Sequence, residues 1–322
     1  MSRFLVDQAD RLRLENRFDE AFDLLDRERS DPQAVLLHGV WLLAGVGGRR
    51  DVFRGRDKFR EAGRMGSVKA LIFEASLMAN GGGSARDWSG ALTLLKRCAS
   101  ISPESVEADL RLIAQMNVDA EGAPGIIPEP IVLQEDPQIL HFPGLISSDE
   151  ASAIIAAASD IMRPALVIDP ATGRQRAHPI RTSDGAVIGP TRESLVITAI
   201  NNRLAVASAT EPEQGEPLSV LRYNVGQQYR LHHDCLENPN NQRIKTALIY
   251  LTDNYEGGAT EFPEIDVRVR GKAGDVVIFE NCDRLGRPYP SMRHAGLPVT
   301  AGTKWLATRW IRGSPFSVWP NP

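Results

Sequence analysis

Residues 221–236, which read LRYNVGQQYRLHHDCL, carry the side chains best suited to chemistry in this chain. His232 and Asp234 stand two apart, and on an extended strand that spacing sets both side chains on one face. An imidazole and a carboxylate aimed at one point supply two donors of a two-histidine, one-carboxylate triad. That arrangement holds non-haem Fe(II) and leaves its other coordination positions open. The third donor is expected far along the chain, and His294, in the run SMRHAG, is the candidate. Lys304 follows and offers a cation for an anionic co-substrate. His233 is the neighbouring alternative, but on a strand it points to the opposite face from His232. Strand-like runs at 246–251, 267–269 and 276–279 lie between the candidate donors.

The elements that position such a site belong to a chain of 322 residues, long enough for two domains of ordinary size. The formal net charge of −4 argues against general nucleic-acid binding and leaves room only for a local basic groove. Cys98, Cys235 and Cys282 are odd in number, scattered and without a CxxC pair, which points to a reducing compartment. The first ten residues have no apolar core of signal-peptide length. The longest apolar stretch, 34–48, carries His38 and is too short to span a bilayer. The expectation is a cytoplasmic chain whose partners are neither nucleic acid nor membrane; its oligomeric state stays open.

Residues 3–116 read as helices. Leu12, Phe18, Ala21, Phe22, Leu24 and Leu25 recur at helical spacing among acids and arginines. Residues 31–66 and 67–102 superpose when one is shifted onto the other, from Asp31 to Ser67, a 36-residue period. The shift pairs Ala34 with Ala70, Leu36 with Ile72, Gly39 with Ala75, Gly45 with Gly81, Asp51 with Asp87, Phe59 with Leu95 and Ala62 with Cys98. Small residues recur where two helices approach closely and glycines recur at the turn, as in a stacked helix–turn–helix unit. The region resembles tetratricopeptide-like repeats of the longer, glycine-turned kind, with a partial copy at 4–29. Such an array offers a concave surface for a peptide or partner protein; a spacer or dimerisation arm is the other reading.

The stretch 120–130 concentrates Pro and Gly and breaks both helix and strand. The domains are therefore read as 1–119, an α-helical repeat domain; 120–137, a linker; and 138–322, a catalytic domain. In the last, 139–145 reads as a strand, Ser147 and Glu150 have capping-box spacing, 149–162 and 191–206 read as helices, and short strands dominate from Ser219. The polar stretch 167–189, which contains His178, reads as a lid or binding loop. Helices followed by strands give an α+β domain, a double-sheet jelly roll with supporting helices.

From about residue 138 to 312 the chain resembles the prolyl 4-hydroxylase branch of the 2-oxoglutarate and Fe(II)-dependent dioxygenases. The matching pieces occur in the family's order: FPGLISSDE at 142–150, RTSDG at 181–185, Y-x-x-G-Q-x-Y-x-x-H-x-D at 223–234, Q-R-x-x-T-x-x-x-Y-L at 242–251, EGGATEFP at 256–263, GDVVIF at 274–279, HAGLPV at 294–299 and GTKW at 302–305, with Trp310 after them. The resemblance implies a double-stranded β-helix fold. It implies iron held by His232, Asp234 and His294, and 2-oxoglutarate anchored by Lys304 with the hydroxyls of Tyr223 and Thr260. O2 is the second co-substrate, with ascorbate as an accompanying small molecule. Tyr229, Arg243 and Trp310 match positions that face the substrate. The chain departs from many relatives at Arg312, where they carry histidine; an arginine there could bind a carboxylate or a backbone carbonyl. Ala259 likewise replaces a common glutamate.

The activity so implied is hydroxylation of an unactivated C–H bond, foremost of a prolyl residue in a protein or peptide held by the repeats, with release of succinate and CO2. A hydroxylase of a free amino acid or small peptide natural product is the alternative, and a non-catalytic repeat scaffold the second.

Overall fold

The computed structural model describes residues 2–168, 175–177, 180–237 and 239–318; His178 and part of the polar 167–189 stretch lie outside them. The chain divides into two compact units, Met1–Gly122 with Pro190–Thr198, and Ala123–Gly189 with Ala199–Pro322. Among the described residues no helix is long and apolar enough to cross a membrane.

The first unit carries α1 (Ser2–Leu14), α2 (Phe18–Arg27), α3 (Pro32–Ala44), α4 (Val52–Arg64), α5 (Val68–Asn80), α6 (Trp88–Ala99) and α7 (Glu107–Gln115). The 36-residue repeat is visible in how these helices start and stop. Asp31 and Ser67 cap α3 and α5, and Asp51 and Asp87 cap α4 and α6, each side chain accepting a backbone N–H of the first turn. Gly45 and Gly81 end α3 and α5 at φ of 72° and 79°, the left-handed conformation that glycine adopts without a Cβ penalty. Phe59 and Leu95 occupy equivalent buried positions, as do Ala62 and Cys98. Gly39 lets α3 and α4 touch: a Cβ there would stand 2.7 Å from the Phe59 ring and 2.9 Å from the Gly55 carbonyl oxygen. Phe22 of α2 packs edge-on to Trp41 of α3, so the α1–α2 pair shares a core with the first full repeat.

The second unit is built on sheets. Its strands are β1 (Ile131–Gln134), β2 (Ile139–Phe142), β3 (Arg163–Pro164), β4 (Leu166–Ile168), β5 (Gln175–Ala177), β6 (Asp184–Val187), β7 (Ser219–Tyr223), β8 (Tyr229–His232), β9 (Arg243–Tyr250), β10 (Tyr255–Gly257), β11 (Thr260–Phe262), β12 (Val267–Val269), β13 (Val276–Glu280), β14 (His294–Gly296), β15 (Val299–Gly302) and β16 (Lys304–Arg312). Eight form one antiparallel sheet in the order β1-β2-β13-β9-β16-β7-β6-β3, four form a second in the order β12-β11-β14-β8, and β10-β15 and β4-β5 are two-stranded ribbons. Side chains of both larger sheets share one core: Ile139, Leu248, Tyr250, Val277, Phe279 and Leu306 from the first, Phe262 and Val269 from the second. This is the expected jelly roll, two sheets whose inner faces interdigitate.

Two helices support it. α8 (Ser148–Ser159) opens with the expected capping box: Ser147 accepts the Glu150 N–H, and Glu150 accepts the Ser147 N–H. α9 (Leu195–Ser208) supplies Arg203, which donates to both Glu150 oxygens at 2.8 and 2.9 Å and to the Leu145 carbonyl at 2.9 Å. Some boundaries differ from the sequence reading. Residues 131–134, within the stretch read as linker, form β1 against β2. The helix read as 149–162 runs Ser148–Ser159, and Arg163–Pro164 form β3 against β6 instead. The stretch 167–189 is no plain loop: Asp184–Val187 is β6, hydrogen-bonded to β7.

Candidate active site

The four-stranded sheet brings the two histidines together. His294 of β14 is the direct cross-strand partner of His232 of β8. Their rings lie 4.3 Å apart, centroid to centroid. β8 ends at His232, and the chain turns so that Asp234 lies between the imidazoles. Asp234 Oδ1 is 3.8 Å from His232 Nε2 and Oδ2 is 3.7 Å from His294 Nε2. Both histidines are fixed from behind. Their Nδ1 atoms face the carbonyls of Arg230 at 2.8 Å and Met292 at 3.1 Å. A carbonyl only accepts, so each Nδ1 carries the proton and each Nε2 turns its lone pair toward Asp234. Thr246 of β9 donates its hydroxyl to Asp234 Oδ2 at 2.7 Å, and Asn281 donates to Thr246 at 2.9 Å.

Two imidazole lone pairs and a carboxylate thus face one another at distances too long for hydrogen bonds. Three acceptors converging without a donor call for a cation between them, and their nitrogen–oxygen makeup suits Fe(II). The cluster is also the grouping of potential metal donors found among the described residues. Electrostatics agree. Burial, then the charge of His294, push the His232 pKa down to about 4. Burial acts to raise the Asp234 carboxyl, but His294, His232 and the Thr246 hydroxyl outweigh it and hold it below its ordinary value. A neutral His232 imidazole beside an ionised Asp234 carboxylate is the form that metal donors take.

The pocket around this cluster includes Tyr223, Tyr229, Thr260, Lys304 and Trp310 in its walls. Lys304, at the start of β16, pairs across the sheet with Tyr223 of β7. Its ammonium is buried and donates to the Gly258 carbonyl at 2.6 Å. The rings of Tyr223, Tyr250 and Tyr255 surround it with centroids 5.3 to 5.9 Å away. Gly258 holds φ at 62°, and a Cβ there would come within 3.2 Å of the Lys304 chain, so glycine brings that carbonyl onto the ammonium. Among the described residues no carboxylate pairs with Lys304, and burial drops its pKa from 10.5 to about 7. A buried cation without a counter-charge beside the metal donors fits the distal carboxylate of 2-oxoglutarate. Thr260, buried on β11, accepts the Tyr250 hydroxyl at 2.9 Å.

Of the residues read as facing substrate, Tyr229 and Trp310 line the pocket, and Tyr229 stacks flat on His232 with ring centroids 3.5 Å apart. Arg243 and Arg312 do not line it. They are direct partners across β9 and β16, two like charges side by side. Glu216 resolves the conflict. Arg243 grips both its oxygens at 2.6 and 2.8 Å, and Arg312 donates to one of them at 2.6 Å. Arg312 also donates to the Asn241 carbonyl, and Arg243 lies over the Trp310 ring at 3.9 Å. The carboxylate and carbonyl foreseen as partners of Arg312 are thus supplied by the chain itself. His233, just beyond the end of β8, turns toward the Tyr289 carbonyl at 3.1 Å.

The sequence reading gave no role to Glu216, Asn281 or Tyr250. Tyr250 and Thr246 lie inside the matched 242–251 motif, where their spacing on one strand was the available signal. Glu216 and Asn281 carry none, because their partners come from distant strands.

A family model described as the 2OG-Fe(II) oxygenase superfamily matches residues 218–312. Prolyl 4-hydroxylase 1 of Arabidopsis thaliana is 34% identical over 203 residues, which cover 57% of this chain and 72% of that protein. Prolyl 4-hydroxylase subunit alpha-1 of Gallus gallus is 34% identical over 200 residues, 58% of this chain and 39% of that subunit. Among solved structures, the viral collagen prolyl hydroxylase of Paramecium Bursaria Chlorella virus-1 in its 2OG complex aligns at 28% identity and a TM-score of 0.46, covering 55% of this chain and 96% of that one. Joined to a pocket whose donors suit Fe(II) and whose buried ammonium suits 2-oxoglutarate, the extent of the likeness to the plant enzyme decides the matter: the chain belongs to the prolyl 4-hydroxylase-like family of 2-oxoglutarate and Fe(II)-dependent dioxygenases.

Proposed function

We propose that this chain hydroxylates a prolyl residue of a protein or peptide, consuming O2 and 2-oxoglutarate and releasing succinate and CO2. The observation that carries the reading is the convergence of His232, Asp234 and His294 in one pocket with the Lys304 ammonium, which no carboxylate among the described residues offsets. His232, Asp234 and His294 hold the iron. Lys304 receives the distal carboxylate of 2-oxoglutarate, with Tyr223 and Thr260 beside it. Iron and co-substrate, once bound, supply the oxidising power for the C–H bond. The protein's share is placement. Met292 and Arg230 carbonyls fix the imidazole tautomers, Thr246 and Asn281 fix the carboxylate, and Leu221, Leu248 and Leu306 keep the pocket wall dry. Tyr229 and Trp310 offer flat walls to a pyrrolidine ring, and Arg243, locked on Glu216, holds the outer face of Trp310. The printed names of the plant and avian relatives support prolyl as the target.

In this reading 138–322 is the catalytic domain, 120–137 joins it to the repeats, and 1–119 holds the protein substrate. The three free cysteines are in keeping with a cytoplasmic setting. The test is succinate release by the purified 322-residue chain with Fe(II), 2-oxoglutarate and proline-containing peptides, with mass spectrometry of host proteins from cells with and without it. One added oxygen on proline is the expected result. Full turnover of a free amino acid with no oxygenated protein would overturn the substrate.

A further inference from the structure

Residues of α4, α5 and α6 line a second, open groove that shares no residue with the pocket described above. Its apolar lining comes from Leu71 and Met78 of α5 and Leu94 of α6, and arginines border it: Arg60 and Arg64 from α4 and Arg97 from α6. Glu74 is the acid in the lining, and it is already neutralised. The buried Arg56 grips both its oxygens at 2.8 and 3.1 Å, and Arg60 adds a further bond at 3.0 Å. Arg60 also reaches Asp57 at 3.0 Å. Arg64 and Arg97 are exposed, and among the described residues neither guanidinium makes a hydrogen bond or ion pair. In a chain of net charge −4, two free guanidiniums over an apolar groove are a local reversal of sign.

We propose that this groove binds an acidic segment of another protein, with carboxylates on Arg64 and Arg97 and an apolar side chain between Leu71, Met78 and Leu94. The charge dictates the occupant. A guanidinium fork matches a carboxylate with two parallel bonds, and the balanced Glu74 repels nothing at the groove wall. The closed packing beneath helps. A Cβ on Gly63 would lie 2.3 Å from Leu71, so glycine lets α4 and α5 meet while the groove stays open above them. The proposal is independent of iron chemistry, since it names a partner for the repeat unit and uses no residue of the metal pocket.

The experiment uses the full chain and a short fluorescein-labelled peptide of repeated Glu-Glu-Leu, with Gln-Gln-Leu and Lys-Lys-Leu peptides as controls, read by fluorescence anisotropy. Saturable binding of the acidic peptide alone is expected, weakening as salt rises. Arg64→Glu with Arg97→Glu should weaken it at least about tenfold, while Arg64→Lys with Arg97→Lys, which keeps the charge and loses the fork, should retain part of it. Both arginines sit in the last turns of their helices, where a positive charge also steadies the helix dipole. If the reversed variant loses thermal stability and binds the peptide as well as the parent does, the groove is structural and the proposal fails. It also fails if the Gln peptide binds equally, or if phosphatidylserine vesicles bind with the same arginine dependence and the acidic peptide does not.

Discussion

Changing Lys304 to methionine removes a charge that no carboxylate among the described residues offsets, while keeping an unbranched side chain of similar length. Burial takes the Lys304 pKa from 10.5 to about 7, a drop worth on the order of 5 kcal/mol for so enclosed a group. Because the folded-state value lies below the unfolded one, the unfolded chain binds the extra proton between them, and stability rises with pH across that window. The penalty of folding around Lys304 is full below about pH 7 and vanishes as pH climbs through 10.5. The ligand-free Lys304→Met protein is therefore expected to be the more stable of the two at neutral pH, by at most ~5 kcal/mol, with the advantage fading toward alkaline pH. Urea unfolding across that range measures it. 2-Oxoglutarate reverses the balance, because its carboxylate favours the ammonium form. Anaerobic calorimetry of the Fe(II)-loaded parent at about pH 8 should show uptake of close to one proton per ligand. The variant should show no such uptake and an affinity lower by roughly 2–5 kcal/mol, about thirty-fold to a few thousand-fold. A stability difference that stays flat from neutral pH to 10.5, or an unchanged affinity for 2-oxoglutarate, would refute the argument that Lys304 is an uncompensated charge awaiting an anion.

Thr246→Val strips Asp234 of its hydroxyl donor and leaves Asn281 without its acceptor; Fe(II) affinity should fall roughly 10–100-fold in an anaerobic titration, with the fold intact by circular dichroism. Glu216→Gln leaves the paired guanidiniums of Arg243 and Arg312 without a counter-charge in a largely buried setting, and should cost about 3–5 kcal/mol in urea unfolding. Gly39→Ala drives a methyl into the Phe59 ring and should lower stability by roughly 1–3 kcal/mol, seen as a lower Tm of the full chain.

How much of this was readable beforehand depended on whether the cause was local. The repeat was legible because helix caps are local: Asp31 and Ser67, Asp51 and Asp87, Gly45 and Gly81 each act within their own turn, so equal offsets meant equal structure. The same holds for the Ser147–Glu150 capping box. The clustering of His232, Asp234 and His294 in one pocket with Lys304 was legible through their motifs, though the spacing of His232 and Asp234 was only part of the story, since the strand stops at His232. Glu216 was silent because its significance arises from β9 meeting β16, which sets Arg243 against Arg312. Nothing near Glu216 announces that. The polar 167–189 stretch misled because polarity was taken for absence of structure, whereas its end pairs with β7.

Cross-strand register, finally, is what this pocket depends on. His232 faces His294, Tyr223 faces Lys304, and Thr260 faces Gly296, each as direct partners in antiparallel pairs. Side chains alternate faces along a strand, so slipping one strand by a single position removes its partner from the pocket altogether. The metal donors are most exposed to this, because His294 opens the three-residue strand β14 and the pairing with β8 already contains an irregularity between His294 and Gly296. Inserting one alanine between His294 and Ala295 should keep the core strands β9, β13 and β16 in register and preserve most stability. It should nevertheless break the His294–His232 pairing and weaken Fe(II) binding at least about 100-fold. An insertion of one residue at Leu285, exposed and outside any strand, is the matched control and should leave Fe(II) binding unchanged. Equal Fe(II) affinity in the two insertions would mean that the loops, and not the register of β8 with β14, set the donors in place.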